Sequence, residues 1–286
     1  MMDFFDEPKF EPLRVLFDNK PLDEFCGMTF NEIRNLLYSP FDDTSPLKIK
    51  SDIDDETLNT IPFFRLTEDL LKIVQREKFI KLTPLGALPK KVLHELYEYK
   101  FIPEFLIEAG ISLLNREHEA ISIMTAHHAA RVSGILKKVK GNLLLTKLGM
   151  MFLKTEKRKD FFLKVLKSYT TVFNWASNDG YTDFPIGQFG WGYTLYMLYK
   201  LGDTVQTKQF YADKFLKAFP NFIQMISLYE DIKPEVEFSN CYILRSFERF
   251  AEWFGFAEDC NKGFFPKNND SVVRKDALTN VFRFEI

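Results

Sequence analysis

Several features of secreted and membrane proteins are missing from this chain of 286 residues. It has only three cysteines, Cys26, Cys241 and Cys260, and they form no C-x-x-C pair. An odd cysteine is left over in any disulfide scheme, so we expect a reducing, cytoplasmic location. No run of eighteen apolar residues occurs, which predicts no membrane-spanning segment and no membrane partner. The acidic first residues lack the basic stretch of a secretory signal, so we expect none.

Motifs of enzymes and cofactor sites are also missing. There is no G-x-S-x-G sequence, the usual setting of a nucleophilic serine in α/β-hydrolases. The glycines Gly187, Gly190 and Gly192 are not followed by Lys-Ser or Lys-Thr, so they do not form a phosphate-binding loop. The sequence therefore predicts no catalytic residues and no cofactor.

The histidines give no metal-binding spacing either. His118, His127 and His128 lie near Glu117 in a stretch that has the pattern of one helix over residues 117–131. On such a helix nine residues turn through about 900°, so His118 and His127 would face opposite sides. A zinc-binding helix places its ligands at i and i+4. We therefore predict surface or interfacial histidines and no metal site.

Phenylalanine is abundant, with 31 residues, and hydrophobic residues make up 46% of the chain. This composition is typical of a globular protein with an aromatic-rich core. The periodicity divides the chain into three regions: an N-terminal helix and acidic connector over 1–59, a tandem winged-helix-like region over 60–155, and an aromatic-rich helical domain over 156–286. In the first region we expect Thr29 to cap a helix over 30–38, and residues 42–56 to be solvated coil.

Two segments of the middle region, 80–86 and 143–149, share the pattern apolar-x-Leu-Thr-x-Leu-Gly. A strand that ends in Leu-Thr, followed by a glycine turn and a new helix, is typical of winged helix-turn-helix units. Helical patterns precede the second copy over 117–131 and 132–139, and Gly141-Asn142 is a hairpin signal. We predict a mainly α protein with one or two winged helix-turn-helix-like units plus a C-terminal helical domain. A true duplication and two independent uses of one motif both remain open.

Charge is distributed unevenly along the chain. Residues 131–168 contain eleven basic and two acidic residues, a local charge of +9 within a chain of net charge −2. A basic face on an otherwise acidic protein can attract phosphate. The candidate nucleic-acid-binding residues are Arg131, Lys137, Lys138, Lys140, Lys147, Lys154, Lys157, Arg158 and Lys159.

These residues suggest contacts with a DNA or RNA backbone, which give affinity without sequence choice. Arg131 and Ser133 are conceivable base-reading donors on the preceding helix. The leading hypothesis is a nucleic-acid-associated or regulatory protein, although the same lysines also suit the solvated face of an amphipathic helix. The alternatives are a scaffold whose helical half forms a partner groove or dimer interface, and an enzyme with a pocket between the halves.

Part of the sequence resembles a set of uncharacterised bacterial proteins. Their motif Leu-Leu-Tyr-x-Pro-Phe matches residues 36–41, and their Leu-Thr-x-x-Gly-Asn-Leu-Pro matches residues 82–89, with Ala87 in place of the asparagine. Residues 245–255 are similar to their closing helix. The resemblance covers the first hundred and the last fifty residues, and it implies no activity and no site residues.

Overall fold

The computed structural model describes residues 20–226, 232–260 and 270–286. Of the described residues, 55% are helical and 11% are in strands, so the prediction of a mainly α protein is confirmed. The predicted regions 1–59 and 156–286 both extend into residues outside these ranges, as does the expectation about a secretory signal. No helix within the ranges combines the length and the apolar character that crossing a bilayer requires.

The described α-helices are numbered in chain order. They are α1 (Phe30–Tyr38), α2 (Asp55–Asn59), α3 (Pro62–Glu77), α4 (Lys90–Glu98), α5 (Phe105–Glu108), α6 (Ile121–Val132), α7 (Lys147–Phe152), α8 (Arg158–Thr171), α9 (Trp191–Leu201), α10 (Lys208–Ala218), α11 (Pro234–Ile243) and α12 (Asp276–Val281). A π-helical segment, Leu244–Ala251, continues α11. Short 3-10 helices are Asp23–Phe25, Glu117–Glu119, Thr155–Lys157, Trp175–Asn178 and Pro220–Met225.

The strands form three small antiparallel sheets within the described ranges. They are β1 (Leu47–Ile49), β2 (Ile80–Lys81), β3 (Leu136–Val139), β4 (Asn142–Leu145), β5 (Gln206–Thr207), β6 (Ala257–Asp259), β7 (Ser271–Arg274) and β8 (Phe282–Phe284). The sheet orders are β1-β8, β2-β4-β3 and β5-β7-β6.

The N-terminal region forms the predicted helix but not the predicted coil. Thr29 caps α1 through a capping box, in which the Glu32 amide donates to the Thr29 hydroxyl and the Glu32 carboxylate accepts from the Thr29 amide. Residues 42–56 are not solvated coil, because β1 pairs with β8 near the C-terminus. Leu47 and Ile53 are buried. The acidic residues lie on the exposed side of this segment, and the composition gives no sign that a few apolar residues are buried in the core.

Both copies of the repeated pattern begin in strands of one sheet. Ile80 in β2 pairs directly with Leu143 in β4, so the two segments are neighbouring strands. The helical pattern over 132–139 is wrong, because α6 ends at Val132 and residues 136–139 form β3, paired with β4. Gly134, with φ of 74°, makes the turn that separates helix from strand. The hairpin predicted from Gly141-Asn142 is confirmed.

Helix α3 is the centre of this part of the molecule. It begins at Pro62, a favoured first-turn residue. The Thr67 hydroxyl donates to the Phe63 carbonyl inside the helix. Ten of its residues are buried, and it packs against α6, α4 and β4.

The aromatic residues of the second half fill the core. Tyr169 is buried and its ring lies 5.1–6.1 Å from those of Phe63, Phe173, Trp175, Phe250 and Phe254. Such ring pairs add about 0.5–1.5 kcal/mol each beyond area burial. One continuous core extends from Met28 to Phe282.

Candidate nucleic-acid interface

A tight hairpin presents three of the predicted lysines to solvent. Lys140 and Gly141 form the two-residue turn between β3 and β4, with φ of 49° and 78°. Positive φ at both positions gives the turn that matches the twist of a two-residue hairpin. Strand β3 lies at the edge of its sheet, and Lys137, Lys138 and Lys140 are all exposed.

Two surface depressions flank the hairpin, and Lys138 lines both. The first, of about 670 Å³, also contains Arg131 and Lys137. The second, of about 500 Å³, also contains Lys81 and Lys140. Neither is lined by a carboxylate, and none of these five cations pairs with a carboxylate among the described residues. We call Lys81, Arg131, Lys137, Lys138 and Lys140 the hairpin cluster.

Lys81 is absent from the sequence-predicted set because it lies fifty residues before Arg131. The pairing of β2 with β4 places it opposite Asn142, directly beside the hairpin turn. On the same side, the Lys138 ammonium lies 2.9 Å from where a Cβ on Gly86 would be. The sequence pattern shared by residues 80–86 and 143–149 could have pointed to Lys81, because paired strands often have apolar residues at matching positions.

Arg158 turns away from the cluster and into the protein. Its guanidinium forms a bidentate contact with Glu68, at 2.7 and 3.2 Å, and also contacts Asp55 and Asn59. The side chain is only 14% exposed. Burial alone would raise the pKa of Glu68, but hydrogen bonds from Arg158 and the charge of Lys72 outweigh it and lower this pKa. Arg158 therefore links α8 to α3, and few of its N–H donors remain to bind phosphate.

The remaining predicted residues also lie apart from the hairpin. Lys157 pairs with Asp160 at 3.0 Å, and the Lys159 ammonium donates to a backbone carbonyl of the N-terminal region. Lys147 and Lys154 are exposed but line neither depression. The basic segment 131–168 thus divides between one surface cluster and several separate positions.

Helix α6, which precedes the hairpin, is covered on most sides. Seven of its twelve residues are buried, because it packs against α3, α4, α8 and β3. Of the two conceivable base-reading donors, Ser133 is buried and its hydroxyl donates to the Ala130 carbonyl at 2.9 Å. Arg131 is half-exposed at the rim of the first depression. Its remaining face, which carries Ile121, Met124, His128 and Arg131, is only partly exposed, so most of the helix cannot enter a nucleic-acid groove.

The histidines are arranged differently from the prediction. The helix over 117–131 is interrupted at Ala120, whose φ of −117° and ψ of 85° are not helical. Glu117 therefore folds back onto α6, and its carboxylate lies 2.8 Å from Nδ1 of the fully buried His127. His128 is half-buried and His118 is exposed. The sequence gives no signal for the break, because Ala120 is neither glycine nor proline.

Comparisons with protein-family models, with curated proteins and with solved structures find no match. Function is therefore inferred from the hairpin cluster and its surroundings.

Proposed function

We propose that residues 62–145 form one winged helix-turn-helix-like unit whose wing is the β3–β4 hairpin. The proposal is supported by the order α3, β2, α4, α6, β3, β4, with only short helical turns between α4 and α6. The sheet order β2-β4-β3 places the hairpin at one edge. The direct pairing of the two repeated segments favours a single unit over a duplication.

We propose that the hairpin cluster binds the phosphate backbone of DNA or RNA. The observation that carries this proposal is the pair of carboxylate-free depressions that share Lys138. Lysine and arginine that neutralise phosphates release condensed counterions, and this release drives binding of any sequence. The whole chain has a net charge of −2, so the residues outside the hairpin cluster are acidic in sum. Their negative charge limits nucleic-acid association to the face that carries the cluster.

Base reading is not part of the proposal. In helix-turn-helix proteins the second helix lies in the major groove and its side chains contact base edges. Here the helix in that position, α6, is covered by its neighbours on most sides, and its remaining face is only partly exposed. Contacts to phosphate position a protein without carrying sequence information. The proposed function is therefore sequence-independent association with nucleic acid, in a regulatory or accessory role.

Binding of labelled duplexes and single strands of unrelated sequence tests this function. We expect similar affinities for all sequences of one strand type, and a large loss when Lys81, Lys138 and Lys140 are changed to glutamate together. A matched control changes the exposed Lys20, Lys91 and Lys217 to glutamate. Equal loss in both triple variants would show that overall charge is responsible, and no binding by the intact chain at low salt would refute the proposal.

A second candidate function, protein docking, is favoured by a separate observation. Leu106, Ile111 and Leu113 are 52%, 63% and 72% exposed. The Ile111 amide donates to the Leu106 carbonyl, which holds these two residues in one turn, and Leu113 follows two residues later. The aromatic residues of the helical half, by contrast, are mostly in the core. Self-association through this turn predicts a dimer that Leu113→Ser disrupts. A monomer at every concentration in sedimentation velocity would contradict it.

A further inference from the structure

Three metal-ligating side chains converge where the 3-10 helix Glu117–Glu119 packs on α6. One donor atom from each of Glu117, His127 and His128 lies within 4.8 Å of the other two. Glu117 and His127 are buried, with side chains 5% and 0% exposed. The two imidazole rings are 5.4 Å apart between centroids. The break at Ala120 produces this arrangement, because it returns Glu117 to the face of α6 that carries the histidines.

Internal hydrogen bonding does not account for the whole cluster. When the Glu117 carboxylate accepts from Nδ1 of His127, the other ring nitrogen is left with a free lone pair. That nitrogen, Nε2, is buried and has no hydrogen-bond partner among the described residues. A buried polar atom without a partner costs about 1–3 kcal/mol, so the ring has unused bonding capacity.

We propose that Glu117, His127 and His128 bind a divalent transition-metal ion of the zinc type. Two imidazoles and one carboxylate are a donor set that suits zinc and its neighbours. Ligands about 2.0–2.1 Å from a tetrahedral ion lie roughly 3.3 Å apart. The present separations of up to 4.8 Å therefore have to close by side-chain adjustment, in which the Glu117 carboxylate exchanges its hydrogen bond with Nδ1 of His127 for the ion. Three protein ligands leave a fourth coordination position for water or an anion.

The surrounding charges are compatible with a cation. Arg131 lies three residues after His128 and would repel a cation, and the carboxylate of Glu117 offsets that repulsion. The ion has an entry route, because His128 lines the first depression.

Titration of the chelator-treated full chain with Co²⁺ tests this proposal, with visible absorption as the readout and Zn²⁺ as competitor. We expect one equivalent to bind with a nitrogen and oxygen ligand spectrum. Glu117→Gln and His128→Gln should each weaken binding by roughly a hundredfold, since even outer-shell partners contribute 10- to 100-fold. His118→Gln is the matched control, because His118 is exposed and outside the cluster, and it should bind like the intact chain.

Thermal melting with and without Zn²⁺ gives a readout that separates ligand loss from misfolding. A bound ion raises the melting temperature of any folded variant that retains the site. Glu117→Gln and His128→Gln should melt as cooperative proteins and lose this zinc-dependent rise. The proposal is overturned if the intact chain shows no Co²⁺ band, if both variants bind like the control, or if a thiolate band shows that a cysteine holds the ion. It does not depend on nucleic-acid binding, which the Lys81, Lys138 and Lys140 variant measures separately.

Discussion

Replacing Arg158 by methionine should destabilise the protein without weakening its binding to nucleic acid. Arg158 lies in the basic segment, but its guanidinium is held by Glu68, Asp55 and Asn59. Methionine keeps most of the side-chain volume against the Phe64 ring that the guanidinium faces. The substitution therefore removes the charge and its hydrogen bonds, and leaves Glu68 with only its partners on α3.

The expected loss in the free energy of unfolding follows from the burial of the Arg158 and Glu68 pair. Removing one partner of a buried ion pair costs about 3–5 kcal/mol, because the other charge is left uncompensated. Arg158 and Glu68 are 14% and 11% exposed, and Glu68 keeps Lys72 as a partner, so we expect the lower end, about 3 kcal/mol. An unfolding entropy of about 2.1 cal/mol/K per residue gives roughly 0.6 kcal/mol/K for 286 residues. The melting temperature should then fall by about 5 °C.

The loss should also depend on pH. The pKa of Glu68 is lowered in the folded protein, chiefly by Arg158 and Lys72 acting against burial. A lowered carboxyl pKa stabilises the fold above its unfolded value of 4.5, and this stabilisation disappears as pH falls through the folded pKa. The intact chain and Arg158→Met should therefore differ most near neutral pH and converge at an acidic pH, once the pH has fallen well below 4.5 and through the lowered pKa of Glu68.

Circular dichroism melts at both pH values, together with anisotropy measurements of binding, are the assay. Lys154→Met is the control, because Lys154 is exposed on the same segment and such substitutions change stability by about 0.5 kcal/mol or less. If Arg158→Met melts like the intact chain and binds nucleic acid more weakly, Arg158 is a phosphate contact and the reasoning above is wrong.

Three further predictions concern single residues. Thr29→Ala removes the capping box of α1 and should cost about 1 kcal/mol in urea unfolding, whereas no change would show that the cap is not formed. Gly149→Ala should destabilise the protein by more than about 1 kcal/mol, because the added Cβ would lie 2.4 Å from the Ile135 carbonyl oxygen. A variant as stable as the intact chain would contradict that close approach. Burial raises the pKa of Cys241 to about 12, so its thiol should react slowly with iodoacetamide at neutral pH. Mass spectrometry should show that the exposed Cys260 is modified first, and equal labelling of the two cysteines would refute the burial of Cys241.

Local signals predicted the parts of the fold that local interactions determine. The helix at 30–38 has a cap in its own sequence, and the turn at Gly141 has the glycine that a two-residue hairpin favours. Strand β3 was misassigned as helix, because Leu136 is fixed by pairing with Leu145 and the intervening lysines also suit a helix surface. A strand of four residues is also too short to show a clear two-residue periodicity of apolar side chains.

The same limit applies to the candidate sites. Counting charges located Lys137, Lys138 and Lys140, but it could not show that Arg158 turns inward to Glu68. Lys81 reaches the cluster only through the pairing of two distant strands. The Glu117 to His127 contact likewise depends on a backbone turn with no glycine or proline to mark it.

The salt dependence of binding tests the central claim about the hairpin cluster most directly. Each phosphate that a protein neutralises on duplex DNA contributes about 0.9 to the slope of log K against log salt concentration. Changing Lys81, Lys138 and Lys140 to glutamine should therefore reduce the steepness of that slope by about 2.7, while the same change at Lys20, Lys91 and Lys217 should leave it unaltered. Equal slopes for the cluster variant and the intact chain would contradict the account.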